Sequence, residues 1–252
     1  MTPSQPQRAP QPCRIDWHCT NLILVAGLLM VGWHNGYDAL GYARATLLVV
    51  LAGSCAFLHE LAHVAVARLW QVEAKSITIL PVGAVTRLGQ LPPNPLAELG
   101  ISLAGPLVSL ALAAVCLLGM VAVGDGVLFL KLPYSFYALS LPAQLFWFNL
   151  AMGVINLIPC LPLDGGKIFR NLLQLAGCSD GNALILVTGF SVLVGAIILV
   201  SGMVGGSFLA IAAGLFLGVG AVKEFLDRGE GPALHPDDHF SLEAWQKADH
   251  DY

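Results

Sequence analysis

Between residues 17 and 225 the chain is a succession of apolar runs, each about as long as a bilayer is thick, divided by short segments that hold most of the prolines and charges. A span needs about 20 apolar residues, and lipid offers backbone groups no partners, so a chain of this pattern must form helices that satisfy their own hydrogen bonds. The runs 17–33, 41–70, 99–123, 136–158, 182–200 and 207–225 therefore predict an all-α polytopic membrane protein of about six transmembrane helices. Hydrophobic residues make up 56% of the chain and charged residues 11%, which is not the balance of a soluble domain. A net charge of -4 with no long basic run argues against a nucleic-acid partner. The lipid bilayer is the expected surrounding.

Outside the runs, residues 1–12 are rich in Pro and Gln, and 1–19 is expected to be a disordered cytoplasmic N-terminus ahead of the membrane domain at 20–226. Residues 227–252 read as a polar cytoplasmic tail whose histidines, His235, His239 and His250, are widely spaced and solvated. In 71–98 the helical pattern stops. Ile77-Thr78-Ile79-Leu80 and Ala84-Val85-Thr86-Arg87-Leu88 are extended runs on either side of Pro-Val-Gly, which suggests a short membrane-associated β-hairpin between the second and third spans. Such a hairpin would offer a sheet edge to an extended peptide. An ordinary interfacial loop is the alternative. Gly105-Pro106 interrupts the third run, and a break there should face the protein interior. The six cysteines are scattered without a CxxC pair and read as small buried side chains rather than as a disulfide framework.

Chemistry enters in the second run, as His59-Glu60-Leu61-Ala62-His63. Positions i and i+4 share one face of a helix, so His59 and His63 can present two imidazole nitrogens to one zinc ion. Glu60 is placed to reach an activated water rather than the metal, the position of a general base in metal-assisted hydrolysis. Ionisable residues this deep in an apolar segment are costly, which favours function over a pair of histidines that merely hydrogen-bond to neighbours. A catalytic zinc site needs a third protein ligand. The fourth run ends in Asn156-Leu157-Ile158-Pro159-Cys160-Leu161-Pro162-Leu163-Asp164-Gly165-Gly166-Lys167, where two prolines stiffen an extended segment and the paired glycines let the chain turn sharply. Asp164, a carboxylate in an apolar setting, is the natural third ligand; it could also cap a helix starting near Gly165. Asn149, one heptad before Asn156 on the same helix face, is either a second polar group of the site or a helix-packing hydrogen bond.

Six spans put the segments after the second and fourth helices on one side, with both termini. That side carries Arg8, Arg14, Arg68, Lys75, Arg87, Lys167, Arg170, Lys223, Arg228 and Lys247, against Arg44 and Lys131 opposite, so both termini are expected in the cytoplasm. The same count brings His59 and His63 to the depth of Asp164.

Together, the HExxH helix and the segment Asn156, Pro159, Pro162, Asp164, Gly165 two spans later resemble the site-2 protease family of intramembrane zinc metalloproteases. The resemblance covers roughly residues 48–170, and the Gly105-Pro106 break is similar to the family's third helix. Without a PDZ insertion or a CBS tail, the chain is most similar to the compact sporulation-protease branch. The resemblance implies zinc held by His59, His63 and Asp164, water activation by Glu60, and Asn156 steadying the substrate or the oxyanion, with Asn149 as the weaker second candidate. It also implies a zinc endopeptidase of the cell membrane that cuts a single-span membrane-protein substrate in regulated intramembrane proteolysis. A homo-oligomer is left open. The competing classes are a metal transporter, which would not need Glu60 as a base and would favour further His or Asp along a spanning path, and an inactive membrane-binding scaffold.

Overall fold

The structure is a computed structural model that describes residues 14–17, 19, 21–80, 83–89, 94–122 and 140–229. The elements run β1 (Arg14–Trp17), α1 (Asn21–His34), α2 (Ala39–Leu69), β2 (Ala74–Leu80), β3 (Gly83–Leu88), α3 (Pro95–Ala122), α4 (Leu141–Asn156), α5 (Asp164–Leu175), α6 (Asp180–Gly205) and α7 (Phe208–Gly229). The residues 1–13, the segment 123–139 and the tail from 230 onward, with its three histidines, lie outside the described residues.

Four helices, α2, α3, α6 and α7, are long and apolar enough to cross a membrane. The expected six is therefore not what the described residues show. The first expected span is shortened because Arg14–Trp17 forms a strand, leaving α1 with 14 residues, or about 21 Å at 1.5 Å per residue. The fourth is 16 residues long, about 24 Å, its expected start at 136–139 lying outside the described residues. The expectation of a disordered stretch through residue 19 is corrected in the same place. Arg14–Trp17 pairs parallel with β2, from Arg14 opposite Ser76 to Trp17 opposite Ile79.

α2 sets the architecture. Asp38 caps it, its carboxylate accepting from Gly41 N at 2.8 Å. Its 31 residues run about 46 Å, which places His59 about 30 Å from the start. At its other end Gln71 sits in the left-handed region at φ 59. Gln71 N donates to Arg68 O and Val72 N to Ala67 O, the paired bonds that end a helix and turn the chain back. Val72 then packs on Ala67 and Ile101, fixing the entry into β2. β2 pairs antiparallel with β3, and the sheet order is β1-β2-β3. The sheet rests on α2 through Val64, Ala74 and Ile77.

α3 stays helical through Pro106 rather than breaking there. Proline removes one backbone donor, so Ser102 C=O lacks its usual helical partner; the turn is tolerated because Gly105 and Pro106 are buried against neighbouring helices. α6 and α7 form a hairpin turned at Gly206, φ 65. They approach so closely that a Cβ on Gly195 would lie 2.9 Å from Gly214 O and from Gly218 N. The distribution of polarity is that of a membrane protein. His59, His63, Glu98, Ser109, Asn149, Asp164 and Arg170 are buried, while Leu118, Leu193 and Val219 face outward.

Candidate metal centre and active site

Two elements far apart in sequence meet at this centre. α2 supplies His59 and His63 from adjacent turns, their rings 4.9 Å apart and edge to face. Asp164 is the first residue of α5, with Leu163 in the cap position, so it enters the helix rather than capping it. The segment before it is held firmly: Leu161 is fully buried and its N–H donates to Ser191 Oγ on α6 at 2.8 Å. Gly165 and Gly166 serve a different purpose from the sharp turn expected of them. Both are helical, and a Cβ on either would collide with the backbone of Leu157, Ile158, Cys160 or Leu161. Their smallness lets α5 start directly against the proline-rich segment.

Asp164 Oδ2 lies 3.3 Å from His59 Nε2 and 3.3 Å from His63 Nε2. His63 Nδ1 is 2.7 Å from the carbonyl of Ile101 on α3. A carbonyl only accepts, so Nδ1 carries the proton and, in the neutral ring, Nε2 turns a lone pair toward the carboxylate. A ring N–H can satisfy such a contact by donating to the carboxylate, and a cation can satisfy it by accepting lone pairs from all three groups. A tetrahedral zinc ion with bonds of about 2.0–2.2 Å sets its ligand atoms about 3.3–3.5 Å apart, which the Asp164 to imidazole distances fit. Glu60 also has a carboxylate oxygen within 4.8 Å of the imidazole nitrogens. His59, His63 and Asp164 form the better set, because Glu60 Oε2 already accepts from Thr86 N of β3 at 3.0 Å. Glu60 thus stands beside the donor set with its carboxylate turned to the sheet.

These residues line a cavity of about 500 Å³ whose walls come from α2, β3, α3, α4, α5 and α7. Asn156 lines it too, with Nδ2 donating to Met152 O at 2.9 Å. Asn149 does not reach it. Asn149 is fully buried in α4, its Nδ2 donating to Leu145 O at 2.8 Å while its Oδ1 has no partner among the described residues.

Several participants had not been assigned to the site from the sequence, although Gly105 had been marked with Pro106 as an interior-facing break. Ser109 Oγ lies 2.8 Å from His59 Nδ1. Lys167 Nζ stands 3.7 Å from Asp164 Oδ1. Gly105 gives the imidazoles room, since a Cβ there would fall on the Nε2 atoms of both. Ile101, Gly105 and Ser109 recur every four residues, so one face of α3 backs the whole pair. At the cavity mouth, buried Glu98 accepts from Arg170 Nη1 at 2.9 Å and from Arg228 Nη2 at 2.6 Å. Arg228 also pairs with Glu224, and Arg170 with Asp180. A Gly-Pro step inside an apolar run and isolated charges near such runs were the traces of these in sequence.

The sequence model of peptidase family M50 matches residues 46–136 and 135–196. The chain is 32% identical over 211 residues to a zinc metalloprotease of Methanocaldococcus jannaschii, a match covering 83% of this chain and 57% of that protein. It is 37% identical over 149 residues to Rip3 of Mycobacterium tuberculosis, covering 58% of this chain and 36% of that one. The chain thus spans well under two thirds of these curated relatives. The solved structure of a site-2 protease from Methanocaldococcus jannaschii matches with a TM-score of 0.60 at 25% identity, covering 90% of this chain and 94% of that one. Sequence, fold and the meeting of α2 with α5 agree, and the chain belongs to peptidase family M50, the site-2 protease family.

Proposed function

We propose that this chain is an intramembrane zinc endopeptidase that hydrolyses a peptide bond in or near the transmembrane segment of a single-span substrate. The observation that carries the reading is the convergence of His59, His63 and Asp164 at 3.3 Å, beside Glu60 and inside a cavity among apolar helices. His59, His63 and Asp164 would hold zinc. When bound, zinc supplies a Lewis acid that polarises the scissile carbonyl and makes water acidic enough to be deprotonated near neutral pH. Glu60 Oε takes that proton and returns it to the leaving amine. Asn156 has two amide N–H groups; Met152 O engages one, and the other is available to the substrate carbonyl as negative charge develops on it.

β3 orients the substrate in this reading. It is one of the two outer strands of the sheet, the one whose Thr86 N–H points to Glu60. An extended substrate segment pairing with this edge would have its backbone groups satisfied without reading sequence. Helix-weakening residues in the substrate's span would favour cleavage, because a helix must unwind before it can pair this way. The excess of Lys and Arg on the side expected to hold both termini supports a cytoplasmic orientation for them, and in this reading cleavage would release a cytoplasmic fragment, as in regulated intramembrane proteolysis. Membership in M50 favours hydrolysis over metal transit.

The test is zinc content measured beside cleavage of a model single-span substrate. Glu60→Gln is expected to retain zinc and to lose cleavage by about 10²–10⁴-fold, the usual contribution of a positioned base. Asp164→Ala should lose both. Wild-type protein that binds zinc yet cuts none of a panel of helix-weakened substrates would overturn the reading.

A further inference from the structure

The two histidines are supported differently. His63 Nδ1 faces a carbonyl, which fixes its proton, whereas His59 Nδ1 faces the hydroxyl of Ser109 at 2.8 Å. A hydroxyl both donates and accepts, so it leaves open which nitrogen of His59 carries the hydrogen. The choice matters: only with the hydrogen on Nδ1 does Nε2, the atom 3.3 Å from Asp164 Oδ2, have a lone pair for a metal.

We propose that Ser109 is a positioning residue of the metal centre: its oxygen accepts from His59 Nδ1 and so aims Nε2 at the ion. Ser109 is fully buried on α3, fifty positions from His59, in the same helical stripe as Ile101 and Gly105. Without the hydroxyl, the Nδ1–H tautomer loses its acceptor while the Nε2–H tautomer keeps one in Asp164 Oδ2, so the balance shifts toward the form whose Nε2 has no lone pair for a metal. The inference rests on zinc being held by His59, His63 and Asp164, and its test separates the two.

The measurement is the zinc dissociation constant of the detergent-solubilised chain, by chelator competition, for Ser109→Ala, His63→Ala and wild type, with thermal unfolding of the metal-free forms alongside. Ser109→Ala is expected to weaken zinc by about 10–100-fold, as loss of a hydrogen bond behind a ligand usually does, while leaving metal-free unfolding near that of wild type. Zinc affinity within twofold of wild type would overturn the role of Ser109. Unchanged affinity in His63→Ala would instead overturn the metal centre itself, and the proposal with it. Should Ser109→Ala fail to fold, ¹⁵N spectra of the zinc-loaded wild type decide: His59 must show a protonated Nδ1, and a bare Nδ1 refutes the proposal.

Discussion

At the scale of single residues, the centre depends on an absence as much as on its donors. Gly105 lies in the middle of α3, where alanine would ordinarily favour the helix by about 1 kcal/mol. Its missing side chain is where the imidazoles sit, and a Cβ would meet the Nε2 atoms of His59 and His63. Overpacking a filled interior costs about 1–3 kcal/mol, and here the groups that must yield are the two imidazoles proposed to hold zinc. Gly105→Ala is therefore expected to leave a folded, helical protein that has lost most of its zinc and its cleavage; metal analysis of the purified variant checks this. A Gly105→Ala protein with full zinc occupancy would show that the rings do not lie where the structure has them.

At the scale of elements, α2 and α5 carry the donors, but the ends of the helices decide where those donors point. The turn after α2 is a standard helix ending with an unusual occupant, since Gln71 holds the left-handed position that glycine favours. Only glycine adopts it without a steric cost. Gln71→Gly is expected to raise stability by about 0.5–1 kcal/mol, read as a higher unfolding midpoint in detergent with cleavage unchanged. A fall in stability would mean that Gln71 makes side-chain contacts that outweigh its backbone strain. α5 is positioned from the other side, by the Leu161 N to Ser191 bond and by Gly220 of α7, on which a Cβ would strike the ring of Pro162. The hairpin α6–α7 thus fixes the segment that delivers Asp164, although it contributes no ligand.

At the scale of the whole molecule, polar groups hold the interior together where a soluble protein would use apolar ones. Lipid is as apolar as leucine, so burying leucine between helices gains little, and packing and polar contacts must specify the arrangement. Glu98 is one such node, bridging Arg170 of α5 and Arg228 of α7 from the start of α3. Removing one member of a buried charge group strands the others. Glu98→Gln is expected to destabilise the protein by about 3 kcal/mol, the low end for a broken buried pair, because Asp180 and Glu224 still engage the two arginines. Chemical unfolding checks the value, and no change would show the cluster to be solvated instead.

The HExxH motif, the Asn-Pro-Pro-Asp-Gly segment and the apolar runs were legible from sequence because each is local. Helical spacing alone puts His59 and His63 on one face, and an aspartate after two prolines in an apolar setting stands out by its cost. The residues behind the ligands were not legible. A serine or a glycine in an apolar helix has no signature until the helix opposite is known, and Ser109, Gly105 and Ile101 O matter only because α3 crosses α2 at that height. The start of the first helix was illegible for a related reason: hydropathy measures what a segment avoids, not what it pairs with, so residues 14–17 read as disordered N-terminus and the first residue of a span until β2 supplied them with partners. The sequence by itself determined which chemistry this chain can carry, because ligand identity and helical period are properties of neighbours along the chain. Only the tertiary structure decided how that chemistry is aimed, because the 3.3 Å meeting of Asp164 with two imidazoles is set by contacts between residues a hundred positions apart.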